Sequence, residues 1–323
     1  MAADDPSEEL ARILQDYSAA IDAITDPFTQ ELIDTPAPSL IYHYTNDCGL
    51  RGILESGQLW FTDIFNLNDP SELIHGIGHA IDILKRQASG GPREVKAFSE
   101  MFADLVPSNI ETSAHYFVCC FSMTDRDLGQ WRAYADDGRG YAIGFDAGVL
   151  EQAFANAGAS VLPYSTFPVS YSDTRLREIY EQFMEKTIPV ISVPKGMGLD
   201  SAVVREFIIN LGTKLASSCV FVSTYFKHEA YKNEEEYRFL QAYKADEAVP
   251  SLKIRSRSYS LIKYREFNWK GVAAESVKEV IVGPAGDQKV ALKFANDCLR
   301  EYPPGLEITS IKRSEIPYRS VRQ

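Results

Sequence analysis

From Leu40 onward the chain alternates short, apolar, β-rich runs with helical segments, and no feature limits its fold more. The strand-like runs are Ser39 to Thr45, Leu59 to Thr62, His115 to Ser122, Tyr141 to Asp146, Glu236 to Tyr243, the Leu252 to Trp269 region, Lys278 to Val282 and Leu306 to Ile311. Between them the spacing predicts a helix near Leu50 to Glu55, which Gly57 ends as a C-cap. Asn68-Asp69-Pro70-Ser71-Glu72 reads as a helix start, and the helix should run to about Lys85 with Leu73, Ile77, Ile81 and Leu84 as its apolar stripe. A short helix holds Trp131 and Tyr134, the turn Asp136-Asp137-Gly138 follows, and a last helix should reach about Arg300. This order defines an α/β chain of the α+β type.

Ahead of the alternation, Leu10, Ile13, Leu14, Tyr17, Ile21 and Ile24 recur at helical spacing, with Pro27 and the Pro36 to Pro38 region closing the segment. The expected organisation is an N-terminal amphipathic helix and linker over residues 1–37 and a single α+β domain over 38–323. A helical insertion at about 173–218, broken by the Pro189 to Gly198 stretch, is read as a subdomain. Hydrophobic residues make up 45% of the chain, enough to build a core without disulfide or metal staples.

Charge narrows the function classes. Against 45 acidic residues there are 33 Lys and Arg, a net charge of −12, which disfavours coating nucleic acid or an anionic membrane as the main task. The start, MAADDPSEEL, is acidic, and no apolar run approaches the roughly 20 residues of a membrane span, so a cytoplasmic protein without membrane contact is expected. The five cysteines show neither CxxC nor zinc spacing and read as reduced thiols.

Several motifs have plain structural readings. Gly76-Ile77-Gly78 lies inside a predicted helix, where no dinucleotide fingerprint belongs. Glu72, His75 and His79 share a helix face with metal-ligand spacing, but opposite the apolar stripe they read as a solvated face, and no metal is expected. Val282 to Asp287 joins a strand to a helix without the Lys-Ser/Thr of a phosphate loop. Lys253, Arg255 and Arg257 alternate in an acid-free stretch that runs on to Arg265; a charged edge strand explains it, and a basic, aromatic contact surface is the alternative.

The segment Tyr231 to Arg238 is less easily absorbed. Glu234-Glu235-Glu236 opens a strand that otherwise wants apolar residues. If the three alternate in a pleat, Glu234 and Glu236 face one side, and their repulsion must be relieved by Arg238, by Lys227 or by a raised pKa.

A set of short motifs resembles the bacterial family known as domain of unknown function 2971. They are Tyr42-His43-Tyr44-Thr45, Leu59-Trp60-Phe61, Leu67-Asn68-Asp69-Pro70-x-Glu72 and Cys120-Phe121-Ser122. Trp131-x-x-Tyr134-Ala135, Gly140-Tyr141-x-Ile143-x-Phe145-Asp146, Glu234-x-Glu236-Tyr237-Arg238, Val282-Gly283-Pro284 and Ile316-Pro317-Tyr318-Arg319 complete them. More distantly, a first-strand His followed by Thr, a short helix ending in Gly and a late strand-edge Glu look like the ADP-ribosyltransferase superfamily.

That second resemblance implies a split antiparallel β core with NAD bound in its cleft. It assigns Glu236, with Glu234, to catalysis, and His43 to a ribose of NAD. Ser122 with Thr124 would supply the Ser-x-Ser/Thr element, Tyr44, Thr45 and Arg238 would adjoin the cofactor, and Trp131, Tyr134 or Tyr44 would stack on a base. Superfamily members that modify arginine carry Arg on the first strand, whereas this chain has His43 beside a Glu-x-Glu pair. The implied activity is NAD-dependent ADP-ribosyl transfer or NAD glycohydrolysis, of the kind found in bacterial defence and toxin systems, with a protein or nucleic-acid acceptor. Two other classes stay open: a non-catalytic nucleotide-sensing or interaction module, and a metal-dependent hydrolase or nuclease built on Glu72, His75 and His79 together with the late acids Glu234 and Glu236.

Overall fold

Strands form where β-branched and aromatic residues alternate between two covered faces, and both faces of this sheet are covered. The computed structural model describes residues 6–67, 71–109, 114–157, 165–244, 247–257, 259–305 and 310–318. Its strands are β1 (Leu40–Thr45), β2 (Leu59–Asp63), β3 (Ala114–Ser122), β4 (Tyr141–Asp146), β5 (Ser165–Pro168), β6 (Glu236–Lys244), β7 (Lys253–Arg257), β8 (Ser260–Phe267), β9 (Val277–Val282) and β10 (Ser310–Arg313). The helices are α1 (Pro6–Ile33), α2 (Asp47–Ser56), α3 (Ser71–Ala88), α4 (Arg93–Asn109), α5 (Leu128–Tyr134), α6 (Ala147–Ala157), α7 (Asp173–Ile191), α8 (Ser201–Ser223), α9 (Trp269–Val272) and α10 (Gln288–Glu301).

The strands form one sheet along the path β10-β9-β4-β1-β3-β2-β8-β7, with β6 added to β3 and β5 to β6. Pairing is antiparallel except between β9 and β10, so the sheet is mixed where an antiparallel core is expected. A crossover through α10 separates these two strands, which is the connection a parallel pair requires.

β3 is the strand on which the architecture turns. All nine of its residues pair with β6, from Ala114 opposite Lys244 to Ser122 opposite Glu236. A strand has two edges, so β1 and β2 must share the other one. β1 touches it only at Tyr42 opposite Ser122, and β2 only at Thr62 and Asp63 opposite Val118 and Phe117. Between those contacts the two strands part, and the sheet splits over Cys119, Cys120 and Phe121 of β3.

One face of the sheet, through Tyr116, Val118, Phe167, Leu240 and Ala242, packs on α1, α3, α4, α7 and α8. The opposite face, through Phe117, Cys119, Phe121, Ile143, Phe145 and Phe239, packs residues of α2, α6, α9 and α10. The smaller α5 covers Tyr42, Tyr44, Ala142 and Ile281 on the first face.

Several expectations are revised. α1 continues through Pro27, because the next residue, Phe28, is buried and stacks on Phe226 at 5.0 Å, and that packing offsets the missing helical hydrogen bond. The stretch read as an inserted subdomain at 173–218 forms α7, a 3₁₀ turn over Val193–Gly196 and α8 to Ser223; both helices belong to the layer on the sheet. His79 is buried, its ring nitrogen 3.8 Å from an Asp173 carboxylate oxygen, because α3 has helical neighbours on more than one side. The side chains of Glu72 and His75, like Asn68 to Pro70, lie outside the described residues. The last strand is Ser310–Arg313, residues 306–309 also lying outside them. α4, α6, α9 and β5 are additions to the elements expected.

Gly57 does cap α2 in the left-handed region, with φ of 66°. Gly76 serves helix packing: a Cβ there would meet Ser223 Oγ at 2.4 Å where α3 and α8 touch, whereas one at Gly78 would meet open space. The Val282 to Asp287 connection spends its Gly283 and Ala285 N–H groups on the carbonyls of Gly140 and Gly138. β7 is the terminal strand of its arm, as its alternating charges suggest.

Candidate active site

The split opens a cleft of about 450 Å³ on the face shared with the helical layer. Its floor is the β3 segment from Val118 to Ser122, and its walls come from β1, β2, α5, the start of β6 and the turn before it. Polar residues occupy the part of β3 and β6 that the helices leave uncovered.

Glu236, the first residue of β6, anchors the deepest cluster. Arg238 donates from Nε to Glu236 Oε1 at 2.8 Å, and its Nη2 lies 2.7 Å from the same oxygen. Lys227 donates to Oε2 at 3.0 Å. The Cys120 thiol adds a fourth donor. Burial alone would raise the pKa of Glu236, but the charges of Arg238 and Lys227 outweigh it and hold the carboxyl well below the usual range. The same surroundings push the Cys120 thiol far up, first by burial and then by the Glu236 charge.

Glu234 reaches this cluster by another route than expected. It ends a 3₁₀ turn over Glu229–Glu234, and Glu235 takes a left-handed conformation with φ of 43° before β6 begins. Pleat alternation therefore does not align the two acids. Lys227 does, donating to Glu234 Oε2 at 2.6 Å as well as to Glu236. The expected repulsion is relieved by both cations, with Glu236 lowered rather than raised.

Ser122 fastens the turn to β3. Its hydroxyl donates to the Glu234 carbonyl at 2.7 Å and accepts from the Thr124 N–H at 3.2 Å, while Met123 N–H donates to the Glu235 carbonyl at 2.8 Å. Arg238 adds a 2.7 Å bond from Nη1 to the Thr224 carbonyl, tying β6 to the end of α8.

His43 approaches from the other side of the sheet. Tyr42 and Tyr44 share the face that α5 covers, so His43 alternates to the opposite face and borders the cleft through the split. Its Nδ1 lies 3.3 Å from the Cys120 carbonyl, an acceptor only, so Nδ1 carries the proton and Nε2 is left as an acceptor. Burial lowers its pKa, favouring the neutral ring. Cys120 thus joins the two ends of the site, its carbonyl to His43 and its thiol to Glu236.

The remaining expected residues divide. Tyr44 lines the cleft, but it is buried, packs edge-on against Trp131 at 4.9 Å and donates to the Thr124 carbonyl at 2.8 Å. Trp131 has no exposed surface, and its Nε1–H donates to the Asp125 carbonyl at 2.9 Å; it holds α5 in place and offers no stacking face. Thr45, paired with Tyr141 at the end of β1, is not among the described residues that border the cleft. Tyr134 borders it and is exposed. The structure adds Trp60 and Tyr231, both exposed, and Arg255 and Arg257. Their strand alternation was visible in the sequence, but not that it faces this cleft.

Residues 130–239 match the model of a family described as "Protein of unknown function (DUF2971)". The resemblance to that family read from the sequence is therefore shown over a segment that runs from α5 through Glu234, Glu236 and Arg238. Neither a curated protein nor a solved structure matches the chain. Among the described residues, no helix is long and apolar enough to cross a membrane.

Proposed function

We propose that the cleft binds NAD and that the protein is an ADP-ribosyltransferase-like enzyme or NAD glycohydrolase. The observation that carries this reading is that Glu236 and His43, distant in sequence, border one cleft where a sheet splits, joined through Cys120. The residue types suit the chemistry. Breaking the bond between nicotinamide and ribose sends the electron pair to the ring nitrogen and leaves an oxocarbenium ion. A fixed carboxylate stabilises that cation. The neutral His43 ring offers an acceptor for a ribose hydroxyl, and the exposed Tyr134, Trp60 and Tyr231 offer flat surfaces for bases. The attacking acceptor, a protein, a nucleic acid or water, gives up its proton, for which Glu234 is the more exposed carboxylate.

A specific observation favours a second reading. Glu236 already receives four donors, about as many as a carboxylate has lone-pair positions, so its charge is largely spent inside the protein. A cleft built this way would sense a nucleotide without cleaving it. Incubation with NAD separates the two. Nicotinamide release that falls in Glu234→Gln and in Glu236→Asp supports the enzyme; saturable NAD binding with no release, whatever acceptor is supplied, supports the sensor. Absence of both overturns the nucleotide reading.

A further inference from the structure

We infer that Arg255 and Arg257 form a phosphate-recognition ledge at the cleft, so that its ligand is a nucleotide carrying a diphosphate rather than an uncharged nucleoside. The inference deepens the proposed reading and rests on its cleft, not on its chemistry.

β7 places both arginines on one face, with Ser256 on the other, and that face continues across the sheet through Trp60, Thr62 and Val118 toward Glu236. Arg255 lies over the Trp60 ring at 5.0 Å and the Tyr264 ring at 6.0 Å. That stacking fixes the guanidinium plane without using its hydrogen-bond donors. Its Nε is out of solvent and meets no acceptor among the described residues. A buried donor left without a partner is costly, and the usual remedies are a ligand or an ordered water.

The charges point the same way. On the same strand Lys253 is matched by Glu266 at 2.6 Å, but Arg255 and Arg257 have no carboxylate partner among the described residues. Burial, and then the neighbouring charge of Arg257, disfavour the protonated form of Arg255. A phosphate oxygen would answer all three features: the spare donor, the uncompensated burial and the mutual repulsion. Deeper in the cleft Lys227 and Arg238 are already matched by Glu234 and Glu236, so they do not compete for the anion. Trp60 and Tyr264, in contact at 4.7 Å between ring centroids with their planes tilted by 40°, make the ledge part aromatic platform and part cation pair.

The test follows Trp60 fluorescence in the full chain. The other two tryptophans, Trp131 and Trp269, are fully buried, so a change in emission on titration reports mainly the ledge. ADP-ribose, adenosine, inorganic pyrophosphate and a short single-stranded oligonucleotide are titrated into the wild type, Arg255→Gln, Arg255→Gln/Arg257→Gln and Lys253→Gln. The expected result is saturable ADP-ribose binding, competed by pyrophosphate, that weakens about 10- to 100-fold in Arg255→Gln and further in the double variant. Lys253→Gln should bind as the wild type does. Equal ADP-ribose affinity in wild type and double variant overturns the ledge, as does an equal loss in Lys253→Gln, which would mean a diffuse field. Adenosine binding as tightly as ADP-ribose overturns the diphosphate, and an oligonucleotide binding more tightly than ADP-ribose overturns the small-ligand assignment. None of these readouts requires nicotinamide release, so the ledge stands or falls apart from catalysis.

Discussion

Replacing Glu236 with Gln should destabilise the protein by about 3 kcal/mol at neutral pH, the lower end of the range for breaking a buried ion pair. The figure follows from what each cation keeps. Arg238 is 1% exposed and would retain the Thr224 carbonyl but no countercharge from Glu236; Lys227 would still have Glu234 at 2.6 Å. The loss therefore falls mostly on Arg238. Urea unfolding at neutral pH, followed by far-ultraviolet circular dichroism, measures it as a shift in midpoint. The pH dependence has a definite sign. The folded-state pKa of Glu236 lies below its unfolded value, so its contribution is fully present above the ordinary glutamate pKa of about 4.3 and fades as pH falls through the depressed value. The Gln variant lacks this titration, and the two stability curves should converge in acid. Replacing both charges together, as Glu236→Leu/Arg238→Met, should recover most of the loss, because no uncompensated guanidinium remains. A gap under about 1 kcal/mol at neutral pH, or one that widens toward acid, would refute the reasoning.

Gly76→Ala should cost about 1–3 kcal/mol in a thermal melt, since the new methyl meets Ser223 Oγ at 2.4 Å and Cβ at 2.9 Å where α3 and α8 touch; an unchanged melting temperature would show that the helices separate freely. Native protein should react quickly with a thiol reagent at Cys48, the exposed cysteine, and peptide mapping would locate the label. Cys120, its thiol pushed up by burial and by Glu236, should resist, and rapid labelling there would contradict the closed cluster. Tyr44→Phe should lose about 1 kcal/mol through its bond to the Thr124 carbonyl, read by chemical denaturation, and should leave the Trp131 contact in place.

What the sequence discloses follows the range of the forces involved. β1, β3, β4, β6 and β9 are readable because alternation and flanking turn residues are local, and Gly57 ends α2 for a reason contained in one residue. α4 carries Val95, Phe98, Phe102 and Val106 at helical spacing, a signal that was present; β5, four residues ending in Pro168, offers none. Pro27 misleads because the packing of Phe28 on Phe226 is decided by a residue just past the end of α8, far along the chain. The same holds in the site. Glu234 and Glu236 stand out as acids out of place, but their union through Lys227, and the burial of Trp131 and His79, depend on elements that meet only in the folded chain. The residue types of Arg255 and Arg257 were legible; the cleft they border was not.

The divergence of β1 and β2 from β3 also has a meaning for solubility. A sheet edge with unmatched peptide groups is a template for pairing with other chains, which is why exposed edges carry charges, as β7 does. Here a short length of edge lies inside the molecule, at Cys120, whose carbonyl meets an imidazole where a neighbouring strand would normally donate. Walled by its own two strands, it is closed to a foreign strand yet borders a cleft of about 450 Å³. The chain keeps the hydrogen-bonding capacity of an open edge while avoiding the aggregation that such an edge invites.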